Sequence, residues 1–284
     1  MKESRGEKTF HVFNYILLAI FSLICLYPMY YVLMASFSSS GALLAHSGLL
    51  FAPLKPNTAA YKLVLENKNI WTGYGNTLFI VGVGTVLSLA VTSAAGYALS
   101  RRSFRAGKVI MVLITFTMMF SGGMIPTFII VRTVGLYDTI WSLILPVLVN
   151  TTNLIILRTA FAGIPESIIE SVALDGANDL VIFARIALPL IKASLSVIAL
   201  YYCVSYWNSW FTASLYLRKR DLFPLQLVLR EILIANENDN SDSELMSEAI
   251  KYAAIIVSTL PILCIYPFLQ KYFVKGVMIG AVKG

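Results

Sequence analysis

Charge is what this sequence has least of. Charged residues occupy 13% of its 284 positions, against the roughly 25% usual in soluble domains, while 58% are hydrophobic. Histidine is almost absent, and His11 and His46 have no neighbouring set of metal ligands, so a zinc-protease helix of the H-E-x-x-H kind is excluded. The three cysteines, Cys25, Cys203 and Cys264, fall inside apolar stretches without ligand spacing, which argues for small buried apolar residues rather than a disulfide framework or a metal site. A phosphate-binding G-x-x-x-x-G-K-[ST] loop is missing too. The chain is therefore expected to hydrolyse no nucleotide and to bind no cofactor or metal itself. Its net charge of +7 does not indicate nucleic acid, because the Lys and Arg residues sit between apolar runs instead of gathering on one exposed face.

What is present is a series of apolar runs of about 20 residues, the length a helix needs to cross a bilayer core of about 30 Å. They predict an all-α integral membrane protein with spans at Phe13 to Ala35, Gly75 to Leu99, Val109 to Val131, Thr139 to Leu157, Leu188 to Trp210 and Tyr252 to Phe273. The first run follows Lys2, Arg5 and Lys8 as a secretory signal would, but it is longer than a signal core and no A-x-A site follows it, so it is expected to be a span. Span four is the shortest, and a crossing with little tilt is expected of it. The domain plan is residues 1–12 as a cytoplasmic N-terminus, 13–273 as the membrane domain with an inner loop at 158–187, and 274–284 as a cytoplasmic tail.

Orientation follows from the excess of Lys and Arg on cytoplasmic loops. The short loop from Ser100 to Lys108 carries Arg101, Arg102, Arg105 and Lys108, which places it, and with it both termini, inside. Ser36 to Tyr74 and Phe211 to Lys251 then become long outer loops. In the second, Pro224 followed by Leu225, Leu227, Val228, Leu229, Ile232 and Leu233 predicts a short helix, and Asn236 to Glu244 reads as a polar, acidic tip, either simply solvated or a contact for another protein.

The inner loop between spans four and five fits neither membrane nor plain linker. Pro165 starts a helix, Glu166 suits its positive end, and Ile168, Ile169, Val172 and Ala173 recur at helical spacing. Gly176 then permits a turn, and the chain resumes through Phe183 and Ile186 to Pro189. Helix, turn and helix are expected at the cytoplasmic surface. Asp175, just before the glycine, suits either a turn closed by its own side chain or a contact with a partner.

Glu170, Gly176, Ile186, Leu188 and Pro189 stand at the spacing E, A, A, three residues, G, nine residues, I-x-L-P. This resembles the inner-loop signature of the permease subunits of binding-protein-dependent ATP-binding-cassette importers. Ser171 and Val172 replace the two alanines, and Val172 is expected to add bulk on the docking side. The resemblance implies that the loop is a coupling helix seated in a cleft of an ATPase subunit, with Glu170, Ser171, Ala173, Asp175, Gly176 and Ala177 forming the contact. The C-terminal Gly276-Val277-Met278-Ile279-Gly280-Ala281-Val282-Lys283-Gly284 is similar to the tail of carbohydrate-uptake permeases of the maltose-transporter type. Gly276, Gly280 and Lys283 would then reach between two ATPase subunits, the alternative being a small-residue face for helix packing.

Trp207-Asn208-Ser209-Trp210 at the outer end of span five is a further likeness to carbohydrate permeases. Trp207 and Asn208 suit either a membrane-interface belt or a sugar contact. Asn150 and Asn153, three apart in span four, suit either interhelical hydrogen bonds or a substrate pathway, since unpaired amides are costly in lipid. Pro126 and Pro146 interrupt spans three and four, either at a pathway or as packing kinks.

The resemblance implies an assembly in a bacterial cell membrane: this chain, a second permease subunit, two ATPase subunits that carry the ATP and magnesium, and an extracellular solute-binding protein delivering a carbohydrate, with no nucleic acid. The alternatives are the same architecture for a non-sugar solute, or a membrane scaffold that transports nothing.

Overall fold

The computed structural model describes residues 5–120, 122–235 and 248–264, and among these every regular element is helical. The elements are α1 (Arg5–Ser36), α2 (Ser40–Leu44), α3 (Ala59–Glu66), α4 (Lys68–Ser100), α5 (Gly107–Met119), α6 (Met124–Thr133), α7 (Thr151–Ala162), α8 (Glu166–Leu174), α9 (Asp179–Val181), α10 (Leu188–Leu190), α11 (Lys192–Trp207), α12 (Trp210–Tyr216) and α13 (Leu225–Ala235). Short 3-10 turns occupy Ile140–Leu143, Leu145–Val147 and Arg220–Leu222, and a π-helical turn occupies Ile182–Ala187. Residues 248–264 are also helical.

The chain divides into two compact units, the first from residues up to Lys68 with Leu229–Pro261, the second chiefly Asn69–Val228. In the first, α1 leaves Phe13, Leu17, Phe21, Ile24 and other large apolar side chains exposed, and it runs through Pro28 without a break. A helix of this length with an apolar surface all round requires an apolar medium or a partner helix rather than water. A local core of Ala35, Leu43 and Leu50 is covered by Tyr31, Met34, Leu54 and Tyr252. The segment after α1 is pinned by hydroxyls: Tyr27 accepts from Leu50 N–H at 2.9 Å, and Tyr30 donates to Phe51 O at 2.6 Å.

The second unit packs around one core that includes Ile80, Leu143, Ile144, Leu157, Phe161, Ile182, Ile198, Tyr202 and Tyr206. Its longest element is α4, whose 33 residues extend about 50 Å at 1.5 Å per residue. Against it stand α7, α11 and the 3-10 turns between residues 140 and 147, so that buried Thr85, Ser88, Thr92 and Ser93 on α4 face protein rather than lipid.

Among the described residues, two helices are long and apolar enough to cross a membrane, Gly6–Ser36 and Lys68–Ser100, or up to five if each bent pair counts as one span. Spans three to five are thus each interrupted. Span three is interrupted between Met119 and Met124, whereas Pro126 lies harmlessly in the first turn of α6, where an N–H has no helical partner anyway. Span four does not cross as a straight helix from Thr139. It runs as 3-10 turns past Pro146 and becomes α-helical only at Thr151, with a 49° bend. Span five does not begin at Leu188, because an 85° bend separates Asp179–Leu190 from Lys192–Trp207, and its helix ends at Trp207 rather than Trp210. The expected α13 is present and starts directly after Pro224. Within span six, residues 265–273 lie outside the described residues, as does the acidic tip from Asn236 to Glu244.

Candidate functional site: the α8 loop and its anchorage

The segment from α7 to α11 is a helix, a turn and a second helical stretch. Pro165 occupies the N-cap of α8 and Glu166 its first turn, where its carboxylate pairs loosely with Arg102 at 3.6 Å in full view of solvent. At the other end Gly176 has φ +86°, a backbone conformation that side chains resist. Its N–H bonds to Ala173 O at 3.0 Å, and Ala177 N–H reaches back to Val172 O at 3.3 Å, closing the paired bonds of a glycine-terminated helix. Main-chain bonds therefore close this turn, and the Asp175 carboxylate is left exposed. Asn178 then caps α9 by accepting from Val181 N–H at 2.9 Å.

The α8 residues divide by face. Ile169, Val172 and Ala177 pack against the core of the second unit, as do Ile164, Phe183 and Leu188. Glu170, Ser171, Ala173, Asp175 and Gly176 are exposed, together with Ile168, Leu174 at 87% and Leu180 at 76% exposure. The bulk of Val172 is consequently not on a docking side, as its sequence position suggested, but turned inward with the inner stripe of the helix. Ser171 donates back to Ile168 O at 3.0 Å, so its hydroxyl is satisfied within the helix. Facing solvent are the apolar side chains of Ile168 and Leu174, with Leu180 beyond the turn, and the carboxylates of Glu170 and Asp175.

The loop is anchored by aromatic packing. Tyr97 of α4, Phe161 of α7 and Phe183 of the π-helical turn form a triad with ring centroids 5.2 to 6.1 Å apart. The Arg101 guanidinium lies 4.8 Å over the Tyr97 ring and donates to Phe161 O at 3.2 Å, while Arg158 donates to Leu99 O at 3.4 Å. Two cations thus meet the carbonyl ends of α4 and α7, the ends that favour positive charge.

The remaining sequence-predicted residues are placed elsewhere. Asn150 is not on a face of α7 but at its N-cap, where its side chain accepts from Asn153 N–H at 3.1 Å. Asn153 is buried one turn further on. Trp207 ends α11 at 5% exposure, and its indole N–H has no hydrogen-bond partner among the described residues. Asn208 caps that end and donates to Val204 O at 2.9 Å. Neither pair is brought together with the α8 loop. Gly276, Gly280 and Lys283 lie outside the described residues.

Residues 87–279 match the family described as the inner membrane component of binding-protein-dependent transport systems. The chain belongs to that family. The permease is 40% identical to the polygalacturonan/rhamnogalacturonan transport system permease protein YtcP of Bacillus subtilis (strain 168), across 98% of this chain and 99% of the relative. It is 28% identical to the arabinooligosaccharides transport system permease protein AraQ of the same organism, across 99% of each. Among solved structures, a chain of a bacterial ABC transporter involved in import of the acidic polysaccharide alginate superposes with a TM-score of 0.88 at 34% identity, covering 96% of this permease and 99% of that chain. A permease of this family is a transporter subunit that works with a second permease, an ATPase and a solute-binding protein.

Sequence reasoning missed the residues that fasten the permease together. Tyr202 and Tyr206 bond to Thr92 and Ser88, and Asp138 bonds to the main chain of Arg218 and Lys219. The one available signal was a set of hydroxyls one helical turn apart on α4, Ser88 and Thr92, with tyrosines one turn apart on α11.

Proposed function

We propose that this permease is the transmembrane subunit of an ATP-binding-cassette importer for a carbohydrate, an oligosaccharide handed over by an extracellular solute-binding protein. The exposed side chains of α8 and its turn carry the reading. Exposed apolar side chains beside two carboxylates, on a short helix seated by its inner face and ended by the Gly176 turn, suit a partner's pocket, and exposed apolar surface marks an interaction site. The partner is the ATPase, which carries ATP and magnesium, two copies serving this chain and a second permease subunit. Glu170, Ser171, Ala173, Asp175 and Gly176 present the contact, Ala177 supports it from within, and the tail residues Gly276, Gly280 and Lys283 enter between the ATPase subunits.

Six spans cross a bacterial cell membrane with both termini cytoplasmic, three of them broken rather than straight. ATP binding closes the ATPase pair, moves α8 and, through the Tyr97, Phe161 and Phe183 triad, displaces α4 and α7, opening a pathway outward. Hydrolysis resets it inward. Asn150, Asn153, Trp207 and Asn208 line or border that pathway, and the buried indole N–H of Trp207 is a donor available to a sugar oxygen there or to the second permease. The carbohydrate reading is supported by the names of the relatives, and the membrane reading by the exposed apolar helices.

The test is co-purification of the ATPase with the permease and uptake of galacturonate or arabinose oligosaccharides. Glu170→Ala and Leu174→Asp should each lower recovery of the ATPase at least about tenfold, the scale of losing one well-buried interface contact. Full recovery with both substitutions would refute the coupling role. Single cysteines at Ser103 and Asn238 test the orientation, and labelling of Ser103→Cys from outside alone would reverse it.

A further inference from the structure

Two tyrosine hydroxyls each join three elements of the second unit. Tyr206 of α11 is 2.8 Å from Ser88 Oγ on α4 and donates to Ile144 O, at 3.4 Å, between the 3-10 turns of span four. Tyr202, one turn earlier, is 2.8 Å from Thr92 Oγ1 on α4 and accepts from Asn150 N–H at 3.0 Å, where span four resumes as α7. The proton inventory is consistent: Ser88 donates to Tyr206, which donates to the carbonyl, and Tyr202 donates to Thr92 while accepting the amide.

The positions explain why these bonds exist. A break in a membrane span releases main-chain N–H and C=O groups that lipid cannot satisfy. Ile144 O and Asn150 N–H are two such groups on either side of the break, and the tyrosines satisfy both. Packing leaves no slack, because a Cβ at Gly84 would sit 2.8 Å from the Tyr206 ring. All four side chains, Ser88, Thr92, Tyr202 and Tyr206, are buried. The chain runs from the α8 loop through the π-helical turn and the 85° bend near Ile191 into α11, which carries the two hydroxyls.

We propose that Tyr202 and Tyr206 are positioning residues of the transport cycle, riveting α11 to α4 and to the break in span four so that the three move as one body when α8 is displaced. This rests on the reading of α8 as the ATPase contact. If α11 could slide past the break, displacement of the loop would be absorbed at the 85° bend near Ile191 instead of reaching the pathway.

The experiment uses the whole transporter in lipid nanodiscs, with Cys25, Cys203 and Cys264 of this chain replaced by serine and one reporter, Val149→Cys, beside the break. The rate of labelling by a membrane-impermeant maleimide is measured with and without a non-hydrolysable ATP analogue. With both tyrosines present the nucleotide changes the rate. In Tyr202→Phe/Tyr206→Phe that change should shrink at least about fivefold, the scale of one net hydrogen bond, while the amount of co-purified ATPase stays the same. A role in folding alone would alter recovery of the complex but leave the nucleotide response of the recovered fraction intact, and that result overturns the proposal. Should the double variant fail to assemble, Ser88→Ala/Thr92→Ala frees α11 from α4 by removing the two bonds to that helix and must also reduce the response. A parent complex that holds its ATPase but shows no response at Val149→Cys also refutes the rivets. A parent complex without ATPase refutes instead the coupling role of α8.

Discussion

The two ends of α4 are fastened differently. At the end bearing Tyr97 and Arg101 the neighbours are rings and two arginine-to-carbonyl bonds, and the adjoining α8 loop touches the core through one face only. At the end bearing Asn76 and Thr77, about 30 Å away at 1.5 Å per residue, side chains grip main chain directly. Asn76 donates to both Asp221 O at 2.8 Å and Phe223 O at 3.1 Å, and Thr77 accepts from Leu225 N–H at 2.8 Å. Asp138 adds a second grip on residues 216–219. Bonds from short Asn, Thr and Asp side chains at 2.8 to 3.1 Å fix position closely, whereas long arginines at 3.2 and 3.4 Å and ring packing leave the partners more room to slide and tilt. The contrast locates the compliant part of the unit at the α8 end, where a partner's push would enter, and the rigid part at the other.

Breaking the α8 end should have the largest effect. Gly176→Val puts a β-branched residue at φ +86° with nothing within 4 Å of its Cβ, so the penalty is backbone strain and not collision. The helix-ending bonds would be lost and α8 would lose its direction, lowering ATPase recovery at least about tenfold for a strain on the order of 1–2 kcal/mol or more. Gly176→Asn, which tolerates this conformation better, should retain part of it. Equal loss with both would point to a side-chain effect instead of strain.

Between the ends, Gly84→Ala tests the middle of α4. Its methyl would meet the Tyr206 ring at 2.8 Å, and a ring held by two hydrogen bonds cannot yield cheaply. Overpacking of this kind costs about 1–3 kcal/mol, to be read as a lower thermal midpoint of the whole permease in detergent. An unchanged midpoint would mean that α4 and α11 shift freely, contrary to the tight seam.

Loosening the opposite end should cost less and should leave coupling intact. Asn76→Ala removes two bonds to carbonyls of a partly exposed segment, about 1 kcal/mol each. Amide exchange in residues 221–226 should accelerate while ATPase recovery holds. If recovery fell as well, the two ends would not be mechanically distinct.

The α8 end was largely legible in the sequence and the opposite end was not, for physical reasons. Helical periodicity and a glycine at a forced turn are local signals, and they located α8 and Gly176 correctly. Periodicity does not tell which apolar residues face the chain's own core, so Val172 was assigned to the wrong side. The span breaks were read from proline, yet Pro126 sits comfortably in a helix start while the actual interruption precedes it. In span four Pro146 does lie in the irregular stretch, but neither the proline nor the composition indicates the 3-10 turns to which Tyr202 and Tyr206 bond. Those tyrosines find partners 110 and 118 residues away, and Asp138 finds its own 80 and 81 residues away. No local pattern encodes such pairings.

Asp138 gives the finest test of the rigid end. It holds φ +59°, its N–H bonds to Tyr216 O at 2.9 Å, and its Oδ1 accepts from Arg218 N–H at 2.9 Å and Lys219 N–H at 3.0 Å. The main-chain N–H of Lys219, then that of Arg218, hold the carboxyl below the usual range, with the Lys219 ammonium, 3.5 Å away and largely exposed, adding less. Because the folded value lies below the unfolded one, the carboxylate contributes stability that is complete above the ordinary value of about pH 4 and disappears as pH falls through the lowered value. Asp138→Asn keeps one acceptor oxygen but no charge. Its thermal midpoint in detergent should therefore lie slightly below that of the parent at neutral pH, with the gap closing on acidification past about pH 4. A gap that stayed constant into acid would show that geometry alone, without the charge, holds residues 216–219 in place.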